Sequence, residues 1–235
     1  MTLIKWTVSI LFVIFIPIFL ISATITWAIN HPFLYDRGFE KFDIAERSGI
    51  TEADLQIIAK ELRTYFNSAD EPLDIRTRIE GHEIILFNHR EISHMFEVKR
   101  LIWWVYASLL VTSISITTVI TLGLNRKGRG FGISICKWLF VGSILTIAMI
   151  STMGLLCLIA FDAIFLIFHK ISFANDLWRL NPSTDYLIKL FPRTFWFEST
   201  MIVSIIVLGM AASISFISGL VLLQVRDKDR SEDPS

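Results

Sequence analysis

Residues 133–168 read ISICKWLFVGSILTIAMISTMGLLCLIAFDAIFLIF, and their length and apolarity decide the fold. A bilayer core is crossed by about 20 apolar helical residues. This stretch exceeds that, with only Lys137 and Asp162 charged, so it reads as a membrane helix carrying an apolar extension. Three other stretches meet the same criterion: about Thr7–Ile29, Leu101–Leu124 and Thr200–Val225. The 53% hydrophobic content and mean hydropathy of +0.58 agree with a small polytopic membrane protein. Formal net charge is +0, which gives no basic field for nucleic acid.

The expected fold is mainly α: a four-helix transmembrane bundle with a small α+β extracytoplasmic cap formed by the first outer loop. The segments are helix 1 (1–29), cap (30–100), helix 2 (101–124), cytoplasmic loop (125–132), helix 3 with its extension (133–168), outer loop with an interfacial helix (169–199), helix 4 (200–225) and cytoplasmic tail (226–235). Helix 1 follows Lys5 as a signal peptide would, but its apolar run is long and no A-x-A site follows, so it reads as an uncleaved anchor. Orientation comes from Asn125-Arg126-Lys127-Gly128-Arg129-Gly130, basic and without an acid. By the positive-inside rule it faces the cytoplasm, with both termini. Were it merely a polar turn, the orientation could be the reverse. The tail RDKDRSEDPS is charged enough to be disordered.

Within 30–100, Ser48–Asp54 reads as a loop and N-cap, followed by Leu55, Ile58, Ala59, Leu62 and Phe66 at helical spacing. Ile75–Leu86 alternates like strand material, with Gly81 at a hairpin turn. Asn88-His89-Arg90-Glu91 resembles a capping box opening a helix that enters the second span. Farther on, Pro182 and Ser183 can start a short helix that Pro192 stops. Its Leu187, Leu190 and Phe191 would form a lipid-facing side, with Lys189 and Arg193 at headgroups.

Two histidines stand at span ends. His94 precedes the second span and His169 follows the third. Counting along straight helices puts His94 roughly 15 Å beyond Trp104 and His169 roughly 16 Å beyond Leu158, at similar depth on one side. Glu91 and Glu97 lie three residues to either side of His94, so a carboxylate can reach its ring, orient it and raise its basicity. Asp162 shares a helical face with His169, seven residues earlier. It is too far for a direct bond, and serves either as a functional acid or as an interhelical hydrogen bond. The apolar residues around it, Phe161 and Ile164 to Phe168, must pack on the cap or line an apolar cavity. Each histidine also has an ordinary reading: exposed in a loop, or buried and satisfying a carbonyl. His31 reads as an interfacial turn before Pro32, and His82 and His89 have no evident partner.

Metal and nucleophile chemistry find little support. His82-Glu83, His89 and His94 lack HExxH spacing, and Cys136 and Cys157 fall in one apolar segment as small core residues. There is no G-x-S-x-G elbow, and Ser93 does not share a face with His94.

Two stretches, EISHMFEVKRL (91–101) and FHKISFANDLWRLNPSTDYLIKLFPRTF (168–195), resemble the lipoprotein intramolecular transacylase (Lit) family of four-span bacterial membrane proteins. The four-span layout with a large first outer loop extends the resemblance over essentially the whole chain. It implies transfer of the sn-2 acyl chain of a diacylglyceryl-cysteine to that cysteine's α-amine, giving lyso-form lipoprotein. His94 and His169 would be the functional histidines, and Asn175, Asp176, Trp178 and Asp185 sit in the second motif. The implied partners are a diacylated lipoprotein and membrane lipids, with no metal, no cofactor and no nucleic acid. Nothing in the sequence sets an oligomeric state. The alternatives are a non-catalytic membrane sensor or subunit binding a partner through the outer loop, and a metal-dependent membrane hydrolase.

Overall fold

The structure is a computed structural model describing residues 2–79 and 81–232. Its elements are α1 (Thr2–Asn30), α2 (Phe33–Lys41), α3 (Ile44–Ser48), α4 (Glu52–Asn67), β1 (Arg76–Ile79), β2 (His82–Ile85), α5 (His89–Lys127), α6 (Arg129–Ser172), α7 (Tyr186–Leu190) and α8 (Arg193–Glu232). Helices α1, α5, α6 and α8 are long and apolar enough to cross a membrane. At 1.5 Å per residue the 39-residue α5 is about 58 Å long, nearly twice the bilayer core. Its charged first turns, with Glu91, Glu97, Lys99 and Arg100, are the part of it least suited to lipid.

The chain divides into two compact units, and the four long helices contribute to both. One unit holds the residues up to Thr24, Tyr106–Leu155 and the residues from Ser204. Here α1 and α6 approach closely at Gly142, where an added Cβ would meet Ile16 at 2.8 Å. Such close approach by a small residue is how helices gain packing in lipid, where the hydrophobic effect between them vanishes. Phe12 packs at a tilt on Trp138 (centroids 5.4 Å), and the buried Thr146 hydroxyl is satisfied by donating to the Gly142 carbonyl at 2.8 Å.

The second unit, Ile25–Val105 and Leu156–Val203, contains the polar cap elements. Thr51 caps α4 by accepting from the Asp54 N–H at 3.2 Å, and the predicted apolar face from Leu55 to Phe66 is buried. The hairpin forms as expected but is shorter, pairing Arg76 with Ile85 and Ile79 with His82. Gly81 has φ 83°, a turn conformation that a side chain would oppose.

Several expectations are corrected. The basic stretch 125–130 is helical except at Gly128 (φ 60°), the single residue between α5 and α6, because one left-handed residue suffices to reverse the chain. The third long helix is not straight: Ala160 takes φ −142°, ψ 45°, which breaks α6 and invalidates height counting through it. Helix α8 continues to Glu232, so the charged tail from 226 is helical that far; residues 233–235 lie outside the described residues. Helix α7 begins at Tyr186, after a turn in which the Asn181 side chain accepts from the Ser183 N–H at 3.0 Å. Its Leu187, Leu190 and the following Phe191 are buried in the protein, with Phe191 against Phe39 (5.8 Å) and Phe195 (5.1 Å), and so do not lie on lipid. Of the extension's apolar residues, Phe161 is buried, whereas Leu166, Ile167 and Phe168 are exposed on the protein surface.

Candidate functional site

The first turn of α5 organises the site. Asn88 Oδ1 accepts from the backbone N–H groups of Arg90 (3.0 Å) and Glu91 (3.1 Å), while Glu91 Oε2 accepts from the Asn88 N–H at 2.8 Å. This is the reciprocal capping box read from the sequence. The second oxygen of Glu91 accepts from the Leu187 N–H at 2.6 Å, and Glu91 is only 1% exposed. Burial pushes its pKa up, against the lowering effect of the Leu187 and Asn88 hydrogen bonds. Arg90 donates to the carbonyls of Asp176 (2.6 Å) and Leu177 (3.3 Å). Asp185 accepts from the Asn181 N–H (2.7 Å), the Thr184 hydroxyl (2.8 Å) and the Asn88 amide (3.0 Å). Burial raises the Asp185 pKa, but these hydrogen bonds outweigh it and the net shift is downward. Together these contacts fasten the 175–187 segment to the start of α5.

One turn further, His94 faces His169 with ring centroids 6.2 Å apart. They are 6% and 8% exposed. Phe173 stands edge-on to His94 at 4.9 Å, and Phe165 (4.2 Å) and Trp178 (4.9 Å) pack on His169. His169 Nδ1 lies 2.7 Å from the Phe165 carbonyl. A carbonyl only accepts, so the proton is on Nδ1 and Nε2 carries the lone pair. Burial lowers the His169 pKa, partly offset by that hydrogen bond. Burial and then the neighbouring His169 charge lower His94 to about 4. Both imidazoles are accordingly neutral at pH 7, and they cannot readily be charged together.

The remaining candidates divide. Of the two flanking carboxylates, Glu97 faces the imidazole, with Oε2 3.9 Å from His94 Nδ1; with His94 neutral this is not an ion pair. Glu91 has turned to the capping box and Leu187 instead. Asn175 donates to Glu97 Oε1 at 2.5 Å, and the Trp178 indole N–H donates to the Asn175 carbonyl at 2.9 Å. Asp176 is exposed and pairs with Arg179 at 3.0 Å. Asp162 pairs with Arg193 and does not serve His169, and the same pair takes Arg193 from the headgroup role expected of it. Asp162 thus lies exposed beside the first residue of α8, whereas His169 faces α5. Sequence reading did not single out Phe173, placed Arg90 only within the capping box, and placed Phe165 only among the apolar residues that pack on the cap or line a cavity. Phe165 and Phe173 bracket His169 at four residues on each side, the spacing at which a helix brings side chains together. A cavity of about 210 Å³ beside the pair is lined by Lys170, Phe173, Ala174, Asn175, Asp176, Trp178 and Arg179. Among the described residues no group of three or more His, Cys, Asp or Glu converges as metal ligands.

Comparison with known proteins agrees with this architecture. The sequence profile of the family described as lipoprotein intramolecular transacylase Lit matches residues 10–196. The in meso structure of the membrane integral lipoprotein intramolecular transacylase Lit from Bacillus cereus superposes with TM-score 0.78 at 20% identity, covering 98% of this chain and 100% of that one. The same protein with a histidine replaced by arginine gives TM-score 0.73 at 19% identity, covering 98% and 95%. These are likenesses of fold. An uncharacterized protein of Aquifex aeolicus (strain VF5) is 30% identical over 138 residues, 58% of this chain, and the match spans 55% of that relative's length. With its profile match running from the first long helix through the second histidine motif, the chain belongs to the lipoprotein intramolecular transacylase Lit family.

Proposed function

We propose that this protein transfers an acyl chain within one bacterial lipoprotein molecule. The sn-2 ester of the diacylglyceryl-cysteine supplies the acyl group and the cysteine α-amine receives it. A C–N bond forms, the ester C–O bond breaks, and the glycerol oxygen leaves as a hydroxyl. The observation that carries the reading is the buried histidine pair, two neutral imidazoles 6.2 Å apart in an aromatic surround.

The chemistry needs one acceptor and one donor of protons. An α-amine has an ordinary pKa of about 8, so it begins mostly as ammonium at neutral pH. One proton must first leave the ammonium for solvent, since only the free amine attacks; the nitrogen then grows acidic as it bonds to the ester carbonyl, and a nearby imidazole of lower pKa takes the second proton. His169 suits that task, because its tautomer leaves Nε2 as acceptor. The imidazolium so formed returns the proton to the departing glycerol oxygen. His94 is the hydrogen-bond donor to the oxyanion. Holding amine and ester together within one substrate supplies on the order of 7–11 kcal/mol of the barrier reduction. Acid–base help adds roughly 10²–10⁴-fold. No acyl-enzyme is required.

In this reading the site opens on the extracytoplasmic face, where lipoproteins are anchored. The termini are cytoplasmic, and segments 30–100 and 169–199 lie outside; the basic residues around Gly128 support that orientation. Expression in a bacterium that makes diacylated lipoproteins tests the function. Mass spectrometry of an N-terminal lipopeptide should show one acyl chain moved from glycerol to nitrogen at unchanged total mass. Unaltered diacylglyceryl-cysteine with a free amine would refute it.

A further inference from the structure

Two buried polar atoms in this unit confront each other without a partner. His94 Nδ1 and Glu97 Oε2 are both inaccessible and make no hydrogen bond. They lie 3.9 Å apart, beyond hydrogen-bond reach. Buried polar atoms left in this state are costly, and a pair of them facing one gap calls for a missing group. The gap does not result from a loose side chain. Glu97 is clamped through its other oxygen by Asn175 at 2.5 Å, and Asn175 in turn accepts from the Leu177 N–H at 3.0 Å. His94 is wedged between His169 and Phe173.

The chemistry of the two atoms defines what fits between them. A carboxylate oxygen only accepts. With His94 donating through Nε2, as its assigned role toward the oxyanion requires, Nδ1 carries the lone pair and also accepts. Two acceptors cannot satisfy each other, so the missing group must present at least two protons. A nitrogen about 2.8 Å from both atoms would subtend an angle of about 90° across the 3.9 Å gap, close enough to tetrahedral for an ammonium to use two N–H bonds. A cation is preferred, because it also neutralises the partly buried carboxylate. Asn175, which holds Glu97, and Phe173, which packs on His94, both line the cavity of about 210 Å³.

We infer that Glu97 and His94 Nδ1 form a binding site for a primary ammonium group, the α-ammonium of the lipoprotein's N-terminal cysteine. Asn175 is the positioning residue that keeps the carboxylate aimed at it. The identity of the ammonium rests on the transacylase reading; the ligand class rests on the two unpaired acceptors. In this arrangement the third N–H of the ammonium is free for His169, so one group of residues binds the amine while another deprotonates it.

The test uses full-length protein and two non-transferable lipopeptides. Both carry an ether in place of the sn-2 ester, and one lacks the α-amine. Wild-type protein should bind the amine form about tenfold or more tightly than the des-amino form, as expected for a charge-assisted contact. Glu97→Gln should reduce that preference to within about twofold while leaving affinity for the des-amino form unchanged, which also shows that the variant is folded. Glu97→Asp should restore part of the preference, and Asn175→Ala should weaken it. Equal binding of both lipopeptides by wild type, or an intact preference in Glu97→Gln, would overturn the inference. Acyl transfer by wild type without amine preference would overturn this site alone. Amine preference without acyl transfer would uphold the ammonium site and remove the transacylase reading.

Discussion

Replacement of Glu91 separates structural from chemical roles at this site. Its carboxylate accepts from the Asn88 N–H at 2.8 Å and from the Leu187 N–H at 2.6 Å, and it is 1% exposed. Glu91→Ala removes one half of a capping box, about 1 kcal/mol. It also strands the buried Leu187 N–H, about 1–3 kcal/mol. The sum is about 2–4 kcal/mol, which for a chain of this size lowers the unfolding midpoint by roughly 4–16 °C. Glu91→Gln keeps the shape but points an NH₂ at one of the two N–H donors, so it should cost about 1–3 kcal/mol. Thermal unfolding in detergent, paired with mass-spectrometric turnover of a diacylated lipopeptide, reads both effects. Because Leu187 follows the segment bearing Asn175 and Trp178, turnover should fall with stability and recover on cooling. If Glu91→Gln melts with wild type yet produces no lyso-lipopeptide, the carboxylate acts chemically and the capping argument is wrong.

Other outcomes follow from the same geometry. His94→Ala and His169→Ala should each abolish lyso-form production while preserving membrane insertion, and the double variant should be little worse than either, since residues acting on one transition state are not additive; His31→Ala and His82→Ala should stay active. His94 is held at about 4 against an ordinary 6.5, so between those values the unfolded chain binds the proton that the native chain refuses. Its contribution, at most about 3 kcal/mol, is therefore complete above pH 6.5 and is lost as pH falls toward 4. The substrate ammonium titrates at about pH 8 and sets one limb of kcat/KM; since His169 is lowered too, the further acid limb that belongs to the histidines should lie below pH 6.5, and a second limb between that value and about 8 would refute neutral histidines. Turnover by purified protein should survive a strong chelator, and loss with rescue by zinc would favour a metal-dependent hydrolase. Asp162→Asn should leave turnover within about twofold, because its carboxylate pairs with Arg193 and not with a histidine.

Much of this protein was legible without coordinates. Long apolar runs mark the four long helices because lipid leaves backbone polar groups no partner outside a helix. The Asn88–Glu91 box and the Thr51 cap were readable because capping is a local exchange of hydrogen bonds over three residues. His94 and His169 stood out by position at span ends. What the sequence could not determine is set by contacts distant along the chain. Ala160 is an ordinary helix former, so nothing in its type announces the break in α6. Glu91 and Glu97 are equivalent by spacing from His94, yet Leu187 claims one and Asn175 holds the other toward the ring. Asp162 shared a helical face with His169 on paper, and Arg193 decided its partner. The tautomer of His169, the burial that keeps both imidazoles neutral, and the 3.9 Å gap between two unpaired acceptors exist only once α5, α6 and the 175–187 segment are packed together. Hydrogen bonds and desolvation depend on distance in space, which separation along the chain does not encode.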